Sequence, residues 1–414
     1  MALEDNSKPL IFYGWVVTGA GLVIAIIGLG TRYSYGVFIK SLEAEFAVTR
    51  ASTSLIFSVY MLLCCVLAVL GGWALDRYGP RKVGVAMGCF SGMALLATSQ
   101  CTSMWQVFLS YSLLLSLGTG PIYTVVNSTA SRWFDKKRGL AVGITTAGGG
   151  AGAILIAPLA TYLIVSYGWR HSLIILGIVA GVVMVAMSLL MIKDPADMGL
   201  FPDGSGPVQS RTGSGEQGIG RGGDDFSFWQ AFKTNQFWLL GATWVFLSLS
   251  IHMVFVHVVP YAVDTGISPM KAAVILGLIG ASNIPGRIVV GQVSDAIGRK
   301  TLAVSTAFAQ FGSLVWLMWA GDLWSLYVFG IVFGFLFGGS STMVTVIIGD
   351  IFGTKNIGTI MGVLSGGWAI GAAVGPAIGG YIFDASGSYF WAFGAGAAAS
   401  LIATFTVVPI KRTV

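Results

Sequence analysis

Charge is the first scarcity. The 23 Lys and Arg and 17 Asp and Glu make up 10% of 414 residues, against about 25% in soluble domains. Histidine (3) and cysteine (4) are rarer still. Cys64, Cys65, Cys89 and Cys101 sit in or beside apolar runs, with no CxxC and no Cys/His cluster. That pattern reads as small buried hydrophobes and leaves no disulfide framework and no metal site. The opening MALEDNSKPL is acidic and polar and lacks the cationic start of a removable signal peptide. The G-x-G-x-G of residues 148–152 has no strand before it, so it is no nucleotide loop, and no cofactor is expected.

Apolar residues are abundant: 55% of the chain is hydrophobic and the mean hydropathy is +0.81. No soluble core can hide that much. The runs are long and continuous, without the ten-residue alternation of an outer-membrane barrel, so the chain reads as an all-α membrane protein. A window of about 20 residues gives twelve spans: 12–38, 53–75, 82–100, 104–128, 138–164, 171–192, 237–263, 271–294, 301–320, 323–346, 357–383 and 389–410. The one long break, 193–236, holds DGSGPVQSRTGSGEQGIGRGGDD and reads as a flexible cytoplasmic linker. It separates an N-terminal six-helix bundle (1–192) from a C-terminal one (237–414).

Charge placement sets the orientation. With the N-terminus inside, the inner segments carry 17 Lys and Arg and the outer ones 5, counting Arg32 at the outer end of the first span. The positive-inside rule then puts both termini in the cytoplasm, in a multi-pass protein of the inner (plasma) membrane. The net charge of +6 follows from this topology and implies no nucleic-acid partner; the partner is the lipid bilayer.

The halves repeat each other. GGWALDRYGPRK (71–82) is echoed by VGQVSDAIGRK (290–300), with Asp76 and Asp295 219 residues apart. Gly143 and Gly362 keep the same offset, and Pro158 and Pro376 follow at 218. Paired six-helix repeats place a site near the midplane between them.

The loop carrying Gly72, Asp76, Arg77, Gly79, Arg81 and Lys82 resembles the signature of the major facilitator superfamily, with a weaker copy at Gly291, Asp295, Gly298, Arg299 and Lys300. YGW (13–15), RWFDKKRGLAVGI (132–144), YGWR (167–170) and PADMGLFPDG (195–204) are similar to the monocarboxylate transporter family and its prokaryotic members. The resemblance implies the pseudo-symmetric facilitator fold, no enzyme activity, and proton-coupled symport of a small monocarboxylate such as L-lactate or pyruvate, by a monomer. It also implies that Asp76, Arg77, Arg81, Asp295 and Arg299 form gating loops.

Of the 17 acids none falls at the midplane, whereas one base does. Arg287 lies 16 residues into the eighth span, about 24 Å from its outer end. An intramembrane cation without an acid calls for an anionic ligand, and a guanidinium fork fits a carboxylate. Asn283, one turn away, shares its face. The pair resembles the Asp-x-x-x-Arg of animal monocarboxylate transporters, with an amide where the titrating acid stands, so a proton needs another carrier. His257, ahead of His252, is the candidate in the seventh span. Tyr123 and Asn127 share a face of the fourth span and are the substrate contacts expected from the other half; Phe335, Phe337 and Trp368 are candidates for an apolar wall. A dicarboxylate exchanger of the oxalate/formate type is the alternative, but it asks for two intramembrane cations. A nutrient sensor on the same fold asks for a structured cytoplasmic domain.

Overall fold

A computed structural model describes residues 12–134, 137–204, 226–352 and 357–410. The N-terminal decapeptide, the centre of the linker and the Asp295 side chain lie outside the described residues. In chain order the α-helices are α1 (Tyr13–Tyr33), α2 (Tyr35–Phe46), α3 (Arg50–Ser99), α4 (Met104–Val107), α5 (Leu115–Thr119), α6 (Ile122–Trp133), α7 (Arg138–Leu189), α8 (Phe228–Phe232), α9 (Asn235–Asp264), α10 (Pro269–Ile297), α11 (Arg299–Leu317), α12 (Leu323–Phe352), α13 (Ile357–Ser386) and α14 (Tyr389–Val407).

Among the described residues, nine helical stretches are long and apolar enough to cross a membrane, and two of them cross it twice. α3 and α7 are 50 and 52 residues long, far more than the roughly 20 that span a bilayer. Each is broken by a glycine outside helical geometry, Gly79 (φ 80°) and Gly168 (φ 82°), a backbone region that favours glycine. The contacts show full reversals. A Cβ on Gly71 would lie 2.3 Å from Pro121, and one on Gly118 would lie 2.2 Å from Ser91. Residues 71 and 91 therefore meet one short stretch of chain, although 20 residues of straight helix cover about 30 Å. Likewise the Ser172 hydroxyl reaches the Ala160 carbonyl at 3.4 Å across Gly168. With α11, which is less apolar, these limbs complete the twelve crossings.

The fourth crossing is the irregular one. It begins as α4, passes through a π-helical stretch at Phe108–Leu114, and breaks between α5 and α6 at Gly120 and Pro121. Proline has no N–H for the helix ladder, so carbonyls there turn to side chains. Within the linker Pro195–Met198 and Pro202–Gly204 form short 3-10 turns, and α8 precedes the seventh crossing.

Apolar packing falls into two large clusters. One is drawn from residues 20–191 with Val256, Ala372 and Ala373, the other from 231–410 with Val37 and Ala157. Backbones approach closely where glycines face one another. Gly148 and Gly152 pack on α1, and Gly371 and Gly375 on α9, all within their own cluster. The glycines that meet across the two clusters are Gly150 of α7 and Gly280 of α10.

The side opposite the linker, called the far side below, is closed by charge. Arg50, 7% exposed, gives its Nε and Nη2 to both Glu43 oxygens at 2.8 and 2.9 Å. Its Nη1 donates to Asp264 (2.7 Å) and Tyr389 (2.8 Å) of the second cluster. Asp384 accepts the backbone N–H groups of Arg50 and Ala51 at 3.0 and 2.7 Å, capping the first limb of α3. Lys40 pairs with Asp264 as well.

Candidate functional site

Between the clusters lies a cavity lined by Tyr33, Tyr123, Thr146 and Gly149 on one side and by Phe255, Asn283, Arg287 and Phe337 on the other. Its free volume is about 20 Å³, room for a single water. A larger ligand needs the two sides to move apart.

Arg287 and Asn283 are held rigidly. A Cβ on Gly338 would lie 2.2 Å from the Asn283 carbonyl, so α12 presses its bare backbone against α10 at this turn. Arg287 donates its Nε to Asn283 Oδ1 at 2.9 Å. That single bond aims the guanidinium and leaves its terminal nitrogens without a protein partner among the described residues. Asn283 is 8% exposed, and its Nδ2 is buried with no partner. A buried donor left unpaired costs about 1–3 kcal/mol, and the ligand that would satisfy it must accept. The cavity thus presents a guanidinium fork and an amide N–H to whatever enters, inside walls of Phe255, Phe337, Tyr33 and Tyr123.

The sequence expectations divide. Arg287, Asn283 and Tyr123 come together in the cavity. Trp368 and His252 form a layer behind its wall: Trp368 stacks on Phe337 at 6.2 Å and meets the His252 ring edge-on at 5.6 Å. Asn127 is turned to Thr145, which donates to its Oδ1 at 2.8 Å. Phe335 backs the α10–α12 contact at Gly286 rather than the cavity; Phe337, two residues on, supplies the wall.

His257 departs most from its expected role. It sits beneath the far-side ion pairs, fully buried, with Nε2 2.9 Å from the Pro376 carbonyl and Nδ1 3.2 Å from the Tyr389 hydroxyl. A carbonyl only accepts, so Nε2 carries the proton and Nδ1 accepts from Tyr389. Both nitrogens are committed. In His252, Nδ1 lies 3.0 Å from the Ser248 carbonyl and must carry the hydrogen, while Nε2 makes no hydrogen bond to the described residues.

Arg32 was missed. The sequence reading set it at the outer end of the first span, yet it is 8% exposed inside the protein. It donates to Tyr60 (3.1 Å), to the Thr119 carbonyl beside the break of the fourth crossing (3.2 Å), and to Cys64 Sγ (3.6 Å). No carboxylate pairs with it among the described residues. Hydropathy ends the first span at residue 38, whereas the helical stretch runs over 34 residues, Tyr13–Phe46, which puts Arg32 well within it. A second intramembrane cation therefore exists, but its Nε and Nη2 are bonded to the protein and it does not line the cavity. Arg32→Leu is expected to strand the Tyr60–Thr119 pair and lower the melting temperature of purified protein by several degrees, measured by tryptophan fluorescence.

Of the residues expected to form gating loops, Asp76, Arg81 and Arg299 pair on their own side of the molecule. Arg132 holds Asp76 at 2.9 Å and Asp194 at 3.5 Å, Arg81 gives Nε to the Leu189 carbonyl at 2.8 Å, and Arg299 pairs with Asp350. Among the described residues none of these bonds joins the two clusters on the linker side. Among the described residues, the ion pairs that join the two clusters lie on the far side.

Twelve crossings in two packed groups, with an unpaired cation facing the cavity between them, are the build of a secondary transporter. The chain belongs to the Major Facilitator Superfamily, whose family description matches residues 20–344 and 293–413; it is a multi-pass membrane transporter and no enzyme. Among curated proteins it is similar to monocarboxylate transporter 12-B of Danio rerio, 24% identical over 96% of this chain and 88% of that protein. It is similar also to monocarboxylate transporter 4 of Gallus gallus, 28% identical over 92% of this chain and 79% of that one. A solved bacterial homologue of the human lysosomal transporter Spinster, inward-facing and occupied, shares the fold with a TM-score of 0.72 at 15% identity, covering 97% and 95% of the two chains.

Proposed function

We propose that this chain carries a small monocarboxylate, of the L-lactate or pyruvate type, together with a proton, by alternating access between two six-helix halves (1–192 and 237–414). The observation that carries the reading is the free guanidinium fork of Arg287 beside the unpaired Asn283 Nδ2. A carboxylate satisfies the fork bidentately, and a 2-oxo or 2-hydroxy oxygen suits the amide donor. The aromatic walls favour a short alkyl group. A dicarboxylate is disfavoured because the second intramembrane cation, Arg32, does not line the cavity and gives its Nε and Nη2 to Tyr60 and the Thr119 carbonyl.

The proton is assigned to His252. Its unengaged Nε2 lies one aromatic layer from the cavity, whereas both nitrogens of His257 are bonded. Loading one anion and one proton moves no net charge, which avoids about 2.3 kcal/mol per charge for each 100 mV. The excess of Lys and Arg on the linker side, 17 against 4 once Arg32 is counted as intramembrane, supports a cytoplasmic linker and cytoplasmic termini in the plasma membrane. On that orientation the closed far side makes this an inward-facing conformation.

The test is labelled L-lactate uptake into proteoliposomes, with and without an inward proton gradient. Wild type should accumulate substrate with the gradient, and Arg287→Ala should not. His252→Gln should lose gradient-driven accumulation but keep exchange of labelled for unlabelled substrate. Uptake that ignores the gradient and requires an anion preloaded in the lumen would replace symport by exchange.

Gly150 supplies a further check. A Cβ there would lie 2.7 Å from the Gly280 carbonyl, so Gly150→Val should hold the halves apart and reduce uptake at least about ten-fold with helical content unchanged by circular dichroism.

A further inference from the structure

A second cavity, of about 380 Å³, opens on the linker side where α3 reverses at Gly79 and α7 ends. Three cations line it, Arg77, Arg81 and Lys193, against one acid, Asp197. It is remote from Arg287, and substrate transport as proposed above makes no use of it.

Its cations are only partly engaged. Arg77 makes no hydrogen bond or ion pair among the described residues; its guanidinium lies over Trp73 and Tyr78, 5.7 Å from each ring centre. Arg81 turns Nε and Nη2 to the Leu189 carbonyl, which leaves Nη1 unused. Lys193 donates once, to the Asp76 carbonyl at 3.0 Å. Asp76 itself is held by Arg132, so it does not neutralise the pocket.

The first limb of α3 shows what faces this pocket. Leu55, Leu62, Val66, Val69 and Trp73 are 48%, 45%, 59%, 74% and 59% exposed. At 100° per residue they fall on one stripe of the helix, and Arg77 continues it. Leu55 stands at the far end, where the halves are shut, and is still exposed. The stripe therefore faces lipid rather than the gap between the halves. Read toward the linker, it passes from aliphatic side chains to tryptophan, then to Tyr78 (51% exposed) and the cations. A phospholipid meets that order of chemistry from acyl chain through the interface to phosphate.

We infer that this cavity binds the headgroup of an anionic phospholipid from the linker-side leaflet, with the phosphate held by Arg77, Arg81 and Lys193 and an acyl chain along the Val66–Trp73 stripe. The lipid would join the α3 reversal to the end of α7.

Native mass spectrometry of the full chain in detergent tests this, with dioleoylphosphatidylglycerol, dioleoylphosphatidylcholine and inorganic phosphate as probes. Phosphatidylglycerol should be retained well above phosphatidylcholine. Each cation removed should lower its occupancy about five-fold, so Arg77→Gln loses about that much and Arg77→Gln/Arg81→Gln falls to the phosphatidylcholine level. Arg77→Gln breaks no bond within the protein and guards against misfolding of the double variant. Lys233→Gln, an exposed linker-side lysine elsewhere, should leave occupancy unchanged. Equal retention of the two lipids, wild-type retention in the double variant, or displacement by millimolar inorganic phosphate would each overturn the lipid site.

Discussion

Arg287→Lys is expected to lower L-lactate uptake at low substrate by about 30- to 100-fold, with normal expression and an unchanged melting temperature. The cation stays, so a site that needed only positive charge would keep most of its activity. What is lost is the planar fork. One Nε bond to Asn283 fixes its direction (2.9 Å) and the remaining donors point at the ligand. A charge-assisted hydrogen bond is worth about 1.5–3 kcal/mol, and exchanging a fork for a point charge forfeits at least one. The effect should appear in apparent affinity. Asn283→Leu should give a smaller loss, because the guanidinium keeps its charge but loses its orientation. Near-normal uptake by Arg287→Lys would mean that the substrate binds elsewhere.

Arg50→Gln should be the most disruptive change away from the cavity. It removes the donors to Glu43, Asp264 and Tyr389 together and leaves three far-side carboxylates facing Lys40 alone. Removing one partner of a fully buried pair costs about 3–5 kcal/mol. Asp264 is 31% exposed, so solvent screening reduces this to about 2 kcal/mol, near a 30-fold shift toward the far-side-open form. Ser54, 3.4 Å from His257 beneath the ion pairs, reports on it. In a background with the four native cysteines replaced by serine, Ser54→Cys should react with an impermeant maleimide about 30-fold faster when Arg50 is Gln. An unchanged labelling rate would show that the ion pairs do not hold the far side shut. Uptake should fall as well, since a carrier that cannot close on one side cannot complete its cycle.

Four residues separate what the sequence carries from what the fold decides. Arg287 was legible because a lone cation in the interior of an apolar run has no cheap explanation. Arg32 was not, because hydropathy ended the first span at residue 38 and the helix pair goes on to Phe46; the shorter span put the arginine near the surface. The choice between His252 and His257 could not be made from spacing. Both lie on α9, five residues apart, and only the neighbours, Pro376 and Tyr389 for one and Ser248 for the other, show which ring nitrogens are committed.

Composition and periodicity alone determined that the chain is a helical membrane protein with twelve crossings, an internal repeat and one intramembrane arginine calling for an anion. Those properties are local: the bilayer demands about 20 apolar residues per crossing, and a buried charge stands out against them. Tertiary structure decided which candidates share a cavity, which glycines meet across it, that Arg32 bonds within its own half, and that ion pairs tie the halves together on the far side. Each of these depends on helix rotation and on partners from other helices, 28 residues away for Arg32 and Tyr60 and 214 for Arg50 and Asp264, which the order of residues along one helix does not encode.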